Sequence, residues 1–109
     1  MNVVPHNTIV VVEISNSKII VKVSGYKNKK ELLSEGFENL NEFLISDYND
    51  ENQKMKIIHI LVQRDALFSF GYGWSPSEIM AYYKEEGIYK GNYKKILWRS
   101  STEYVIEEQ

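Results

Sequence analysis

Two histidines, a set of serines beside glycines and one run of lysines among aromatics are the residues of this 109-residue sequence whose types invite chemistry. His59 is of a residue type that suits proton transfer near neutral pH, with Asp65 or Glu13 as partner. It has no second His, no Cys and no carboxylate cluster at ligand spacing, whereas a metal site needs at least three such groups. His6 stands apart near the first residue. Neither a metal nor a cofactor is expected. Ser69, Ser75 and Ser77 adjoin Gly71 and Gly73, but none sits in the G-x-S-x-G turn that exposes a nucleophile. The glycine pair also lacks the downstream pattern of a phosphate loop. The sequence points to binding rather than catalysis.

Lys90, Lys94, Lys95 and Arg99 are interleaved with Tyr89, Tyr93 and Trp98, the composition of a surface for single-stranded nucleic acid. The same lysines also suit a solvated strand edge, where they oppose pairing with another chain. The net charge of −2 argues against a domain held on nucleic acid by overall basicity. Aromatic residues make up 13% of the chain, and several of the eight Tyr fall in polar stretches, where an amphipathic ring serves a binding surface. The densest such segment is Arg64 to Pro76, in which Phe70, Tyr72 and Trp74 alternate with small residues before a helix start.

In Leu67 to Tyr83 (LFSFGYGWSPSEIMAYY) and Ile96 to Glu107 (ILWRSSTEYVIE), the chain resembles small bacterial immunity proteins of the contact-dependent inhibition type. The likeness covers the C-terminal half and is one of style, since such proteins share no universal motif. The resemblance implies stoichiometric inhibition of a cognate toxin, often a nuclease, by covering its active site. On that basis Asp47, Asp50 and Glu51 would meet a basic nuclease surface, and Tyr72, Trp74 and Tyr83 would be the aromatic contacts. A phage-encoded inhibitor of a host defence protein is the same physics in another setting.

These side chains must be positioned by one small domain spanning residues 1–109, since the chain shows no repeat, linker or low-complexity tract. Hydrophobic residues at 43% and charged residues at 26% are ordinary for a globular core, and no Cys is present to staple it. The first six residues lack a basic region followed by an apolar run, and no stretch approaches membrane-spanning length, so a cytoplasmic protein is expected.

Thr8 to Ser15 and Lys18 to Ser24 are rich in β-branched residues and read as a hairpin, with Val10, Val12 and Ile14 on one face and Ile19, Val21 and Val23 on one. From Lys29 to Tyr48 apolar residues recur every three or four positions, which predicts an amphipathic helix, weakened or broken at Gly36. Tyr48 to Lys54 reads as a loop and Met55 to Val62 as a central strand. Ser75, Pro76 and Glu78 supply a helix start with a capping box, Trp74 and Ile79 a hydrophobic staple, and Gly87 the stop. Tyr93 to Trp98 and Thr102 to Glu107 read as a closing hairpin. The expected fold is α+β, an antiparallel or mixed sheet of about five strands with two helices on one face, in the order β-β-α-β-α-β-β.

Overall fold

The computed structural model describes residues 5–71 and 73–109. Along the chain lie β1 (Ile9–Ile14), β2 (Lys18–Val23), α1 (Tyr26–Ser34), β3 (Glu38–Leu40), β4 (Phe43–Asp47), α2 (Glu51–Gln63), β5 (Leu67–Ser69), α3 (Pro76–Glu85), β6 (Lys94–Trp98) and β7 (Tyr104–Glu108). The fold is α+β, with the strands joined in one mixed sheet of order β3-β4-β2-β1-β5-β6-β7. The β1–β5 and β5–β6 pairs are parallel, and the other pairs are antiparallel.

This topology puts all the described helices on one side. The units β2-α1-β3, β4-α2-β5 and β5-α3-β6 each join strands that run parallel, and such crossovers are right-handed. β2 runs opposite to β4 and β5, and its crossover also travels the opposite way along the sheet, so the two reversals cancel. Packing agrees: Leu32 of α1, Ile58 and Leu61 of α2 and Met80 and Tyr83 of α3 share one core with Val11, Ile19, Val21 and Phe68. The other sheet face carries a smaller cluster of strand residues, Val10, Leu67 and Ile96.

Two segments depart from the expectation. The stretch Lys29 to Tyr48 is not one helix, because the chain leaves α1 through Gly36 and then folds into the β3–β4 hairpin, turning at Asn41 with φ 56°. Gly36, at φ 103°, occupies a left-handed C-terminal position that only glycine adopts freely. Phe37 N–H then donates to Leu32 O at 3.1 Å and Gly36 N–H to Leu33 O at 3.2 Å, which satisfies the last carbonyls of α1. The stretch Met55 to Val62 is helical rather than extended, and α2 begins within the expected loop at Asp50, whose carboxylate accepts the Gln53 N–H at 2.9 Å.

Strand facing also shifts in β1. A bulge between Val11 and Glu13 interrupts the alternation, so Ile9, Val11 and Ile14 join the helix-side core while Val10 and Val12 turn to the other face. In β2 the expected Ile19, Val21 and Val23 do face the core side. The helix read from Ser75 to Gly87 and the closing hairpin are present. At the start of α3 the Ser75 hydroxyl donates to Glu78 Oε1 at 2.9 Å instead of capping a backbone N–H, so Ser75 and Glu78 form a direct side-chain pair and the capping box is not made. Among the described residues the expected five strands and two helices become seven strands and three helices, because the middle of the chain contains a hairpin and a helix and β5 lies hidden in the aromatic run.

Candidate functional site

The end of β4, the start of α2 and the face of α3 meet at one place. Tyr48 leaves β4 with its ring buried and its hydroxyl donating to the backbone carbonyls of Ser15 and Lys18, which ties the β1–β2 turn to this corner. Burial pushes the Tyr48 phenol up to about 12, with the Tyr83 oxygen, then Glu51 and Glu13, adding to the rise. Lys54, one helical turn after the Asp50 cap, is only 7% exposed, and its ammonium lies 5.6 Å from the centre of the Tyr48 ring and 5.2 Å from that of Tyr83.

Among the described residues Lys54 has no carboxylate at ion-pair distance and no hydrogen-bond acceptor. The stem of Lys54 is packed while its ammonium opens on solvent between two aromatic faces, each worth about 0.5 to 2 kcal/mol to a cation. Lys54 forms the polar floor of a cleft of about 480 Å³. Ile79, Tyr82 and Tyr83 of α3 form one wall, and Ile14, Ser15 and Asn16 at the β1–β2 turn form the other. Trp74 stands at the rim, 69% exposed, packed edge-on against Tyr82 with ring centroids 5.8 Å apart.

The expected partner contacts divide on this geometry. Trp74 and Tyr83 belong to the cleft. Asp47, Asp50 and Glu51 are exposed along the connection that delivers Tyr48 and Lys54, although Asp50 is engaged in capping α2. Tyr72 lies outside the described residues. Lys54 and Tyr48 do not stand out in the sequence because the polar stretch Tyr48 to Lys54 has the composition of a loop; the Asp50 and Gln53 pair at N-cap spacing is the available signal for a helix there.

The basic aromatic run does not form one surface. Lys94 and Lys95 are neighbours in β6 and therefore point to opposite sheet faces, where Lys94 pairs with Asp65 and Lys95 with Glu107, both at 3.3 Å. Trp98 packs against the small cluster on the helix-free face, while Lys90 and Arg99 lie beyond opposite ends of the strand. His59 sits on the exposed side of α2 with its ring 5.5 Å from that of Tyr89, not in a strand. Among the described residues no group of three His, Cys, Asp or Glu is placed to hold a metal ion, and no helix is long and apolar enough to cross a membrane.

No protein-family model matches the chain, and neither a curated protein nor a solved structure matches it.

Proposed function

We propose that the chain is a non-enzymatic binding module that acts by occupying another protein, with the Trp74 cleft at the centre of the contact. The observation that carries this reading is Trp74 itself, 69% exposed yet held edge-on by Tyr82 beside an aromatic cleft. A folded protein gains little stability from a large ring left in water, whereas such a ring, oriented in advance, loses little entropy on binding and is the commonest kind of interface anchor. Tyr82, 46% exposed, extends the apolar surface beside it.

The setting that best fits this reading is an immunity protein that neutralises a cognate toxin, a nuclease domain in the simplest form. The exposed Asp47 and Glu51 flank the Lys54 corner and would steer the acidic side of this face towards a basic nuclease surface. The test is to mix the purified chain with the product of the neighbouring gene and pass the mixture through gel filtration. Co-elution as a stoichiometric complex, with loss of the toxin's activity, is expected. Separate elution at micromolar concentration sinks the immunity form of the proposal.

A further inference from the structure

The cleft holds a cation that nothing in the described chain neutralises, and this identifies what the cleft takes. Lys54 is more than nine-tenths buried as a residue, lines the cleft and holds its ammonium 5.6 and 5.2 Å from the centres of the Tyr48 and Tyr83 rings. Asp50, one turn earlier, accepts the Gln53 N–H, and neither it nor Glu51 lies at ion-pair distance from the ammonium. A second donor stands at the rim: Asn16 is exposed, lines the cleft and has no hydrogen bond to another described residue through its side chain. The walls between are apolar, formed by Ile14, Ile79 and the rings of Trp74 and Tyr82. A volume of about 480 Å³ lies within the range of small-ligand pockets, room enough for an apolar body with its terminal group.

We infer that this cleft binds a carboxylate carried on an aromatic or branched apolar body, presented by the protein partner as a C-terminal residue or an acidic side chain beside an apolar one. The inference rests on the binding-module reading and adds to it the chemistry of the anchor. The carboxylate pairs with Lys54 beside the rings of Tyr48 and Tyr83, through a charge-assisted hydrogen bond roughly twice as strong as a neutral one. The apolar body fills the space between Ile79 and Trp74. The acids Asp47 and Glu51 outside the cleft then contact a different, basic part of the same partner.

The probes are N-acetyl-phenylalanine, which carries the carboxylate, and N-acetyl-phenylalaninamide, which has the same body without it. Each is titrated into the intact chain while backbone amide signals are followed by NMR. Saturable shifts centred on Lys54, Ile79 and Tyr82 are expected, with the carboxylate bound roughly tenfold or more tightly than the amide, the contribution of a hydrogen bond between charged groups. Lys54→Met, a replacement of similar length that suits a helix, should bring the acid down to the affinity of the amide. Equal affinities in the native chain overturn the inference, as does the lack of any saturable shift below roughly 10 mM, a range that includes very weak small ligands. That comparison decides even if the variant fails to fold. A partner complex as tight with Lys54→Met as with the native chain also overturns it while leaving the binding-module reading intact; a bound acid in a chain that pairs with no protein overturns the reading and leaves the site.

Discussion

The ammonium of Lys54 lies 5.2 Å from the centre of the Tyr83 ring, so α2 and α3 meet through a lysine cation and an aromatic face rather than through apolar packing alone. The contact brings the two helices together at the cleft and leaves the positive charge without an anion among the described residues.

Lys54→Met is expected to leave the fold as stable as before to within about 1 kcal/mol, since an apolar chain of similar length keeps contact with both rings and the ammonium it replaces opens on solvent. Urea unfolding measures this directly. A loss of more than about 2 kcal/mol would mean that the cation–π contacts carry more than the packing of the stem.

Trp74→Ala separates binding from folding. The side chain is 69% exposed and its principal ring contact is Tyr82, so the melting temperature should change little. Affinity for a protein partner should fall by about 2 kcal/mol or more, the range of a central interface anchor, as measured by calorimetry. A large drop in melting temperature with unchanged affinity would assign Trp74 to the core.

The helix C-termini make a matched pair of tests. After α3, Gly87 at φ 74° lets Ile88 N–H donate to Tyr83 O at 2.8 Å and Gly87 N–H to Lys84 O at 3.2 Å. After α2 the same arrangement recurs with Asp65 at φ 57°, Ala66 N–H donating to Leu61 O and Asp65 N–H to Val62 O, both at 3.0 Å. A left-handed residue with a Cβ costs about 1 kcal/mol relative to glycine, although Asp tolerates it better than most. Gly87→Ala should therefore destabilise by about 1 kcal/mol, while Asp65→Gly should stabilise by up to about 1 kcal/mol despite losing the exposed Lys94 pair. Denaturant midpoints of opposite sign check the argument.

Those same termini explain what was legible. The α3 unit carries its signals in residues with one meaning, Pro76 at its first turn and Gly87 at its stop, and it could be read directly. In α2 the stop is Asp65, a residue common in any loop, and the run of isoleucines has β-branched chemistry, so the segment reads as a strand until tertiary packing decides. Gly36 was visible but ambiguous, since one glycine marks either a weak point inside a helix or its end, and only the Leu32 and Phe37 contact of the folded chain selects the second. Of the candidate site, Trp74 and Tyr83 were readable as surplus aromatics. Lys54 was not, because its importance comes from burial against residues of β4 and α3 far away in sequence.

Tyr48 supplies a pH test of the same corner. Its phenol is held near 12 in the folded chain against an ordinary value of about 10, chiefly by burial. Between these values the unfolded chain releases the proton while the folded chain keeps it, so the unfolded state binds fewer protons and stability falls as pH rises. The contribution is fully present below pH 10 and amounts to roughly 2 to 3 kcal/mol lost by pH 12, since each tenfold difference in proton affinity between the two states corresponds to about 1.4 kcal/mol. Tyr89 and Tyr93, also pushed up by burial, add to the fall. Tyr48→Phe should be less stable at neutral pH, because the carbonyls of Ser15 and Lys18 lose a donor, yet its stability should decline less steeply from pH 10 to 12 than that of the native chain. Urea unfolding across this range decides: parallel declines for the two chains would place the Tyr48 hydroxyl in contact with water instead of buried against the β1–β2 turn.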